Sequence, residues 1–447
     1  MAAPRLALWG TFDVDNYGDH LFPRVAVHEL RRRLPDAAVD AYAPYGRLHS
    51  TPLDDGPISP LGPWSRRRAA QLAGAYDTVV IGGGEIIHLN DPLLAPVYGA
   101  SAGELVRMAP SRFFVEALGP ELERRCPVVW HAVGVSVEPV EPEAEVAQRL
   151  RAALAGRPYI AVRDRFSKER LERAGVERPI EVVPDSALLV DRVLPAPALA
   201  ARLERLRSAG CYPTGPALVL QGCDLIVPHA AGLARAVGEW LDRQGVSSVA
   251  VRPRSVSVSQ SVRPQSIRPP SVRPQRAGAS VPRLEPVIIE TGRCRGDAVF
   301  ADALQPQIDP RRVFRLPPEA GIDDLAAAIA GGFVFVGSSL HGAITALVYG
   351  RPFVLLNLAG ESKLDGFGDL TGLGDLVVHD VDALAPALER AVTTPAPPGL
   401  LPDLQRRIDH HFDRIAEIAL AAGSSRGDTA FRRLSRYRRL RVPQSRH

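Results

Sequence analysis

Residues 333–342 read Phe333-Val334-Phe335-Val336-Gly337-Ser338-Ser339-Leu340-His341-Gly342. Alternating aromatic and β-branched residues fit a buried strand. Gly337, Ser338 and Ser339 supply a small-residue turn, and His341 stands where a helix begins. A strand that yields so quickly to a helix is the repeating step of an α/β fold, in which a parallel sheet is covered on both faces.

The same step recurs outward from this stretch. In the second half of the chain, strands are expected at 217–221, 248–251, 287–290, 333–336 and 353–356, with helices between most of them. In the first half they are expected at 6–9, 78–81, 128–133, 159–162 and 181–183, and helical patterns occupy 20–34, 142–155 and 167–174. A chain of 447 residues exceeds one ordinary domain. The Pro/Ala-rich stretch near 191–209 sets the boundary. The expected layout is a first domain at 1–195, a second at 210–398, a helix at 399–425 placed to cross back onto the first domain, and a basic tail at 426–447.

Residues 252–283 break the pattern with three near-copies of a pentad, Ser261-Val-Arg-Pro-Gln, Ser266-Ile-Arg-Pro-Pro and Ser271-Val-Arg-Pro-Gln. Repeated proline with few large apolar residues cannot build a packed core, so a disordered insertion in the second domain is expected.

The formal charge of +4 conceals two basic segments. Residues 251–283 and 431–447 each hold seven arginines and no acid, and without those fourteen charges the remainder stands at −10. A folded basic face is therefore absent, which argues against nucleic acid as a partner, while the tail offers peripheral contact with an anionic membrane. Hydrophobic residues make up 46% of the chain, but no run is long enough to span a bilayer. The first residues lack the layout of a signal peptide, and a cytoplasmic location is expected, at most at the inner face of the membrane. Cys126, Cys211, Cys223 and Cys294 are scattered without a C-x-x-C pair, so neither zinc nor disulfides are expected. Only Lys168 and Lys363 are lysines among the 54 basic residues.

Candidate site residues cluster where strands end, because open α/β sheets bind ligands there. After the first strand comes Asn16-Tyr17-Gly18-Asp19, with Asp19 a plausible helix cap. After the strand at 78–81 come Gly82, Gly83, Gly84 and Glu85. Such glycines suit a structural turn as well as close approach of a ligand to backbone N–H groups. Arg163 and Asp164 leave another strand, with Ser167 as the expected cap; the guanidinium suits a carboxylate or phosphate. Asp185 follows Pro184 and fits a helix cap or a polar group facing a cleft. His341 can exchange protons near neutral pH, and Lys363 can meet an anion anchored beside it. His88, His131 and Asp224 are read as structural.

Together, Asn16-Tyr-Gly-Asp19, Gly82 to Glu85, Arg163-Asp164 to Ser167, Pro184-Asp185, Ser339-Leu-His341-Gly342 and Lys363 resemble the polysaccharide pyruvyl transferases. The resemblance runs from about residue 6 to 370 and fails in the insertion and tail. It implies two Rossmann-like domains in a GT-B-like arrangement, with the site in the cleft between them. It also implies transfer of a pyruvyl group from phosphoenolpyruvate to two sugar hydroxyls of a glycan or lipid-linked acceptor, with no metal and no cofactor beyond that donor. His341 and Arg163 would carry the chemistry; Asn16, Asp19, Gly83, Gly84, Glu85, Asp185, Ser338, Ser339 and Lys363 would bind substrate. One departure stands out: many members have arginine immediately before the Leu-His pair, where this chain has Ser338 and Ser339. Another basic residue, such as Arg293 or Arg351, would have to replace it, or donor use has changed. Two other readings share the architecture, a nucleotide-sugar glycosyltransferase and a non-catalytic sugar-binding member of the family.

Overall fold

A computed structural model describes residues 3–46, 57–136, 144–246, 284–308 and 313–439. The strand expected at 248–251 and the repeat insertion at 252–283 lie outside these residues.

The first domain holds a seven-stranded sheet of β1 (Arg5–Trp9), β2 (Ala38–Ala43), β3 (Ser59–Pro60), β4 (Thr78–Gly82), β5 (Val128–Val133), β6 (Tyr159–Val162) and β7 (Glu181–Val182). The second holds a six-stranded sheet of β8 (Ala217–Leu220), β9 (Glu285–Ile288), β10 (Phe314–Arg315), β11 (Val334–Gly337), β12 (Phe353–Leu356) and β13 (Val377–Val378). The spatial orders are β3-β2-β1-β4-β5-β6-β7 and β10-β9-β8-β11-β12-β13. All pairings are parallel. Each sheet thus grows to one edge, returns to the middle and grows the other way. The reversal lies between β1 and β4 in one sheet and between β8 and β11 in the other. Connections diverge at such a point and leave a crevice beyond the strand ends, the usual ligand position of this topology.

The strands form where apolar runs can be buried on both faces. Every residue of β4, β5, β8, β11 and β12 is buried. The strands not anticipated carry weaker signals: β3, β10 and β13 have two residues each, and β2 alternates buried and open positions around Asp40. One hydrophobic core is shared by the two domains. It joins Leu8 and Val129 to Val219 and Phe335 through Leu199 and Leu203 of the helix Ala196–Ser208 and Ile344 of the helix Leu340–Val348. Two further cores cover the outer sheet faces.

The last helix, Leu400–Arg439, runs past residue 425 and does cross back to the first domain. Leu404, Ile408, Phe412 and Ile415, spaced as one helical face, are buried in the shared core. Gln405 donates to the Leu188 carbonyl at 2.9 Å, and Asp409 accepts from Arg33 and Arg192 at 2.8 Å each. Beneath it, His411 Nε2 lies 2.7 Å from His131 Nδ1 and its Nδ1 lies 2.8 Å from the Tyr159 hydroxyl. His131 is thus structural, as read from sequence. Among the described residues, no helix is long and apolar enough to cross a membrane.

Candidate active site

The two reversal points face each other across a cleft of about 250 Å³. Of the residues anticipated from sequence, Asn16, Asp19, Gly84, Glu85, Arg163, Ser338, Ser339, His341 and Lys363 line it. Gly83 lies just behind this wall, and Asp185 reaches it through His341. Gly83 and Gly84 have φ of 100° and 80°, the left-handed region that side chains disfavour, and they swing the chain off β4 so that Glu85 faces the cleft.

Asn16, rather than Asp19, caps the helix Tyr17–Arg33: its side chain accepts from Gly18 N at 2.9 Å. A carboxylate at 19 falls inside the first turn, where it faces the cleft and accepts from the Thr11 hydroxyl. The same loop stitches the domains together. Tyr17 N donates to Thr291 O at 2.6 Å, Asn16 bridges Gly292 in antiparallel fashion, and the Tyr17 and Thr345 hydroxyls lie 2.9 Å apart.

A second cap is also reassigned. Asp164, not Ser167, caps the helix Arg165–Arg173, accepting from Ser167 N at 2.7 Å, which leaves the Ser167 hydroxyl to accept from Val135 N at 3.0 Å. Asp164 has a second partner: its Oδ2 lies 3.5 Å from Arg163 Nε. Arg163 Nη2 lies 3.3 Å from Glu85 Oε2. Neither nitrogen achieves hydrogen-bond geometry, although Arg163 is only 5% exposed. Buried donors of this kind are costly unless a ligand meets them.

Asp185 is both cap and site residue. Its Oδ1 accepts from Ala187 N at 2.9 Å while Oδ2 lies 3.4 Å from His341 Nε2. The histidine opens the helix Leu340–Val348, which Ser339 caps by accepting from Gly342 N at 3.2 Å. The imidazole stands edge-on to Phe22 at 5.0 Å and lies flush on Gly18, where a Cβ would come within 2.0 Å of Nδ1. His341 Nε2 and Asp185 Oδ2 are buried and lack hydrogen-bond partners among the described residues. Lys363 Nζ is 2.5 Å from Glu361 Oε1.

The charges sort by environment. Burial pushes the Asp185 carboxyl up, but His341 and Arg163 outweigh it and hold the group below its ordinary range. Burial likewise opposes ionisation of Glu85, and Arg163 and Lys363 overcome it. For Asp19 burial wins and the pKa rises despite the Thr11 hydroxyl. Burial lifts Asp297 to about 6 and the Cys294 thiol to about 12, which favours the protonated form of that thiol.

Several wall residues escaped the sequence reading: Gln221, Thr291, Cys294, Arg295, Asp297 and Glu361. Asp297 accepts from Gln221 Nε2 at 2.8 Å and from the backbone of Thr291 and Gly292, while Gln221 Oε1 accepts from Ser339 N at 2.8 Å. This relay fixes the turn before His341. Its members follow β8 and β9, so the strand-end rule that located Glu85 would have found them. Asp224, read as structural, also lines the cleft, whereas His88 accepts from Asn90 N at 3.1 Å away from it. Neither arginine suggested as a replacement at 339 reaches the wall. Arg293 pairs with Asp15 at 3.0 Å and Arg351 donates to the Ala330 carbonyl; Arg295 is the arginine that lines the cleft beside Arg163. Among the described residues, no cluster of three His, Cys, Asp or Glu is placed to hold a metal ion.

The family model described as polysaccharide pyruvyl transferase matches residues 16–224 and 280–359, more than half of the chain. No curated protein matches the sequence. Among solved structures, UDP-GlcNAc 2-epimerase from Methanocaldococcus jannaschii aligns with a TM-score of 0.50 at 11% identity, covering 88% of this chain and 93% of that one. The likeness establishes the fold: two Rossmann-like domains in a GT-B-like arrangement. The Neisseria meningitidis UDP-GlcNAc 2-epimerase gives 0.48 at 11% identity, covering 93% and 99%. The O-GlcNAc transferase of Thermobaculum terrenum gives 0.42 at 15%, covering 96% and 67%.

Proposed function

This chain belongs to the polysaccharide pyruvyl transferase family, and from that premise we propose that it moves a pyruvyl group from phosphoenolpyruvate onto two hydroxyls of a sugar, forming a cyclic ketal and releasing phosphate. The observation that carries the reading is the meeting, across one cleft, of the His341–Asp185 pair with Arg163, whose buried nitrogens await acceptors.

In the proposed reaction, C3 of the enol takes a proton and C2 becomes electron-poor. One sugar hydroxyl adds to C2, the bond from C2 to the phosphate oxygen breaks, and the second hydroxyl closes the ring. Of the two hydroxyl protons, one balances that gained by C3 and the other leaves with phosphate. The His341 imidazole relays a proton, and the Asp185 charge 3.4 Å from its Nε2 stabilises the imidazolium. Arg163 offers fixed donors for the donor's carboxylate or phosphate, already oriented by Glu85 and Asp164. The carboxyls of Asp19, Glu85, Asp224 and Glu361 on the wall suit the hydroxyls of a glycan or lipid-linked sugar. The seven arginines of 431–447 favour an anionic surface, which suits a lipid-linked acceptor at the inner face of a membrane.

Phosphate release from phosphoenolpyruvate, in the presence of galactose-, mannose- and glucosamine-type acceptors, is the expected result, together with an acceptor carrying an acid-labile ketal. Absence of release across the panel, with tight binding of a nucleotide sugar, would replace this reading with the glycosyltransferase one.

A further inference from the structure

The cleft wall holds three basic side chains, Arg163, Arg295 and Lys363, and they are not equivalent. Lys363 is in contact with Glu361 at 2.5 Å, and Arg163 lies between Glu85 and Asp164 at 3.3 and 3.5 Å. Each therefore brings its own counter-charge. Arg295 feels Asp19, Glu361 and Glu85 across the cavity, but among the described residues none of them is in ion-pair contact with it. Its side chain is exposed to the cleft solvent.

An uncompensated guanidinium on a limp surface loop would mean little, but the backbone of Arg295 is held. Its N–H donates to Gly292 O at 2.8 Å, and Gly292 is bridged to Asn16 of the first domain. Cys294 N donates to Asp15 O, and the Arg293 guanidinium grips the Asp15 carboxylate at 3.0 Å. The turn closes at Gly296, whose φ is 71° and whose missing Cβ would stand 2.7 Å from Asp224. The base of the side chain is thus anchored to both domains. On the same wall is the start of the helix Leu340–Val348, a terminus that favours negative charge, and beside it the unpartnered buried nitrogens of Arg163.

We infer that Arg295, with the first turn of the helix Leu340–Val348 and Arg163, forms an anion subsite for a phosphate or carboxylate group, and that Arg295 is its principal specificity-determining cation. Only the naming of phosphoenolpyruvate as occupant rests on the transferase reading; the subsite itself asks for an anion. Arg295 lies in a loop that joins the domains, so an anion held there also draws them together.

The test is binding of inorganic phosphate and of phosphoenolpyruvate to the full chain by calorimetry, alongside steady-state phosphate release. Arg295→Ala is expected to weaken binding of both ligands about tenfold or more, the loss of one charge-assisted interaction. Arg351→Ala, outside the cleft, controls for loss of general charge and should bind as the unaltered chain does. Matching circular dichroism and melting curves establish that the variant is folded. The inference is overturned if Arg295→Ala binds phosphate and phosphoenolpyruvate like the unaltered chain, or if the unaltered chain binds neither. Phosphate binding that depends on Arg295 without turnover on any acceptor would leave the subsite standing and remove the reaction; turnover indifferent to Arg295 would do the reverse.

Discussion

Asp185 Oδ2 stands 3.4 Å from His341 Nε2, and the two side chains come from different domains. Both atoms are buried and neither has a hydrogen-bond partner among the described residues, so the contact is electrostatic. Under the proposed reaction, separating the domains would remove the charge that steadies the imidazolium.

Replacing Asp185 with Asn keeps the shape and removes the charge. The expected outcome is a fall in kcat of about 10²–10⁴-fold, with KM for phosphoenolpyruvate within a few-fold of the original. His341→Ala should do at least as much. Initial rates across pH add a second check. The native carboxyl, held below its ordinary range, stays ionised down to acidic pH and loses its charge only as pH falls through that lowered value, so its acid limb should vanish in Asp185→Asn. Unchanged kcat in both variants would remove the pair from the mechanism.

Gly18→Ala probes closure. The new Cβ would need the space now filled by the imidazole, 2.0 Å from Nδ1, and the helix below it is pinned by Tyr17 to Thr291 and Thr345. Overpacking of this kind costs about 1–3 kcal/mol. Activity should drop far more than stability, read as turnover against urea midpoint.

The histidines under the last helix predict sensitivity to acid. Burial lowers His131 to about 4 and holds His411 well below its usual value. Both are neutral in the folded chain, whereas an unfolded histidine binds a proton below about 6.5. Stability from this pair is thus complete above that value and is lost as pH falls from about 6.5 toward 4, His131 alone giving of order 3 kcal/mol. Melting temperatures between pH 7 and 4, roughly the span of that linkage, should decline, and less steeply in His411→Phe.

Phe412→Ala tests whether the last helix belongs to the first domain's core. Phe412 is wholly buried and packs near His131 at 4.8 Å. A loss of about 3–5 kcal/mol is expected for such a truncation, measured by denaturant unfolding. A loss below about 1 kcal/mol would mean that surface ion pairs alone dock the helix.

His341, Arg163, Glu85 and Asp185 were legible because each follows an apolar strand, and strand ends converge in this topology. The long central strands were legible for the same reason. What sequence could not give was partnership. Nothing local in Asn16 to Asp19 says that the loop crosses to Thr291, and propensity favours Asp and Asn as caps about equally, so the choice of Asn16 over Asp19 was settled by the tertiary contact. Asp164 displaced Ser167 as a cap because Ser167 was needed by Val135. Arg295 went unread although the strand expected at 287–290 precedes its loop, because nothing local in Arg293-Cys294-Arg295 tells which arginine turns to the cleft and which pairs with Asp15. The edge strands β10 and β13 are too short to carry a pattern at all.

The chain passes between the domains twice, once near the helix Ala196–Ser208 and again before Leu400, where the last helix returns to the first domain. A single crossing would let the halves drift and twist about a flexible leash. Two crossings act like the paired pivots of a door, and they leave swinging about the line between them as the motion of least resistance. Under the proposed reaction, substrate entry and product escape would then share one arc.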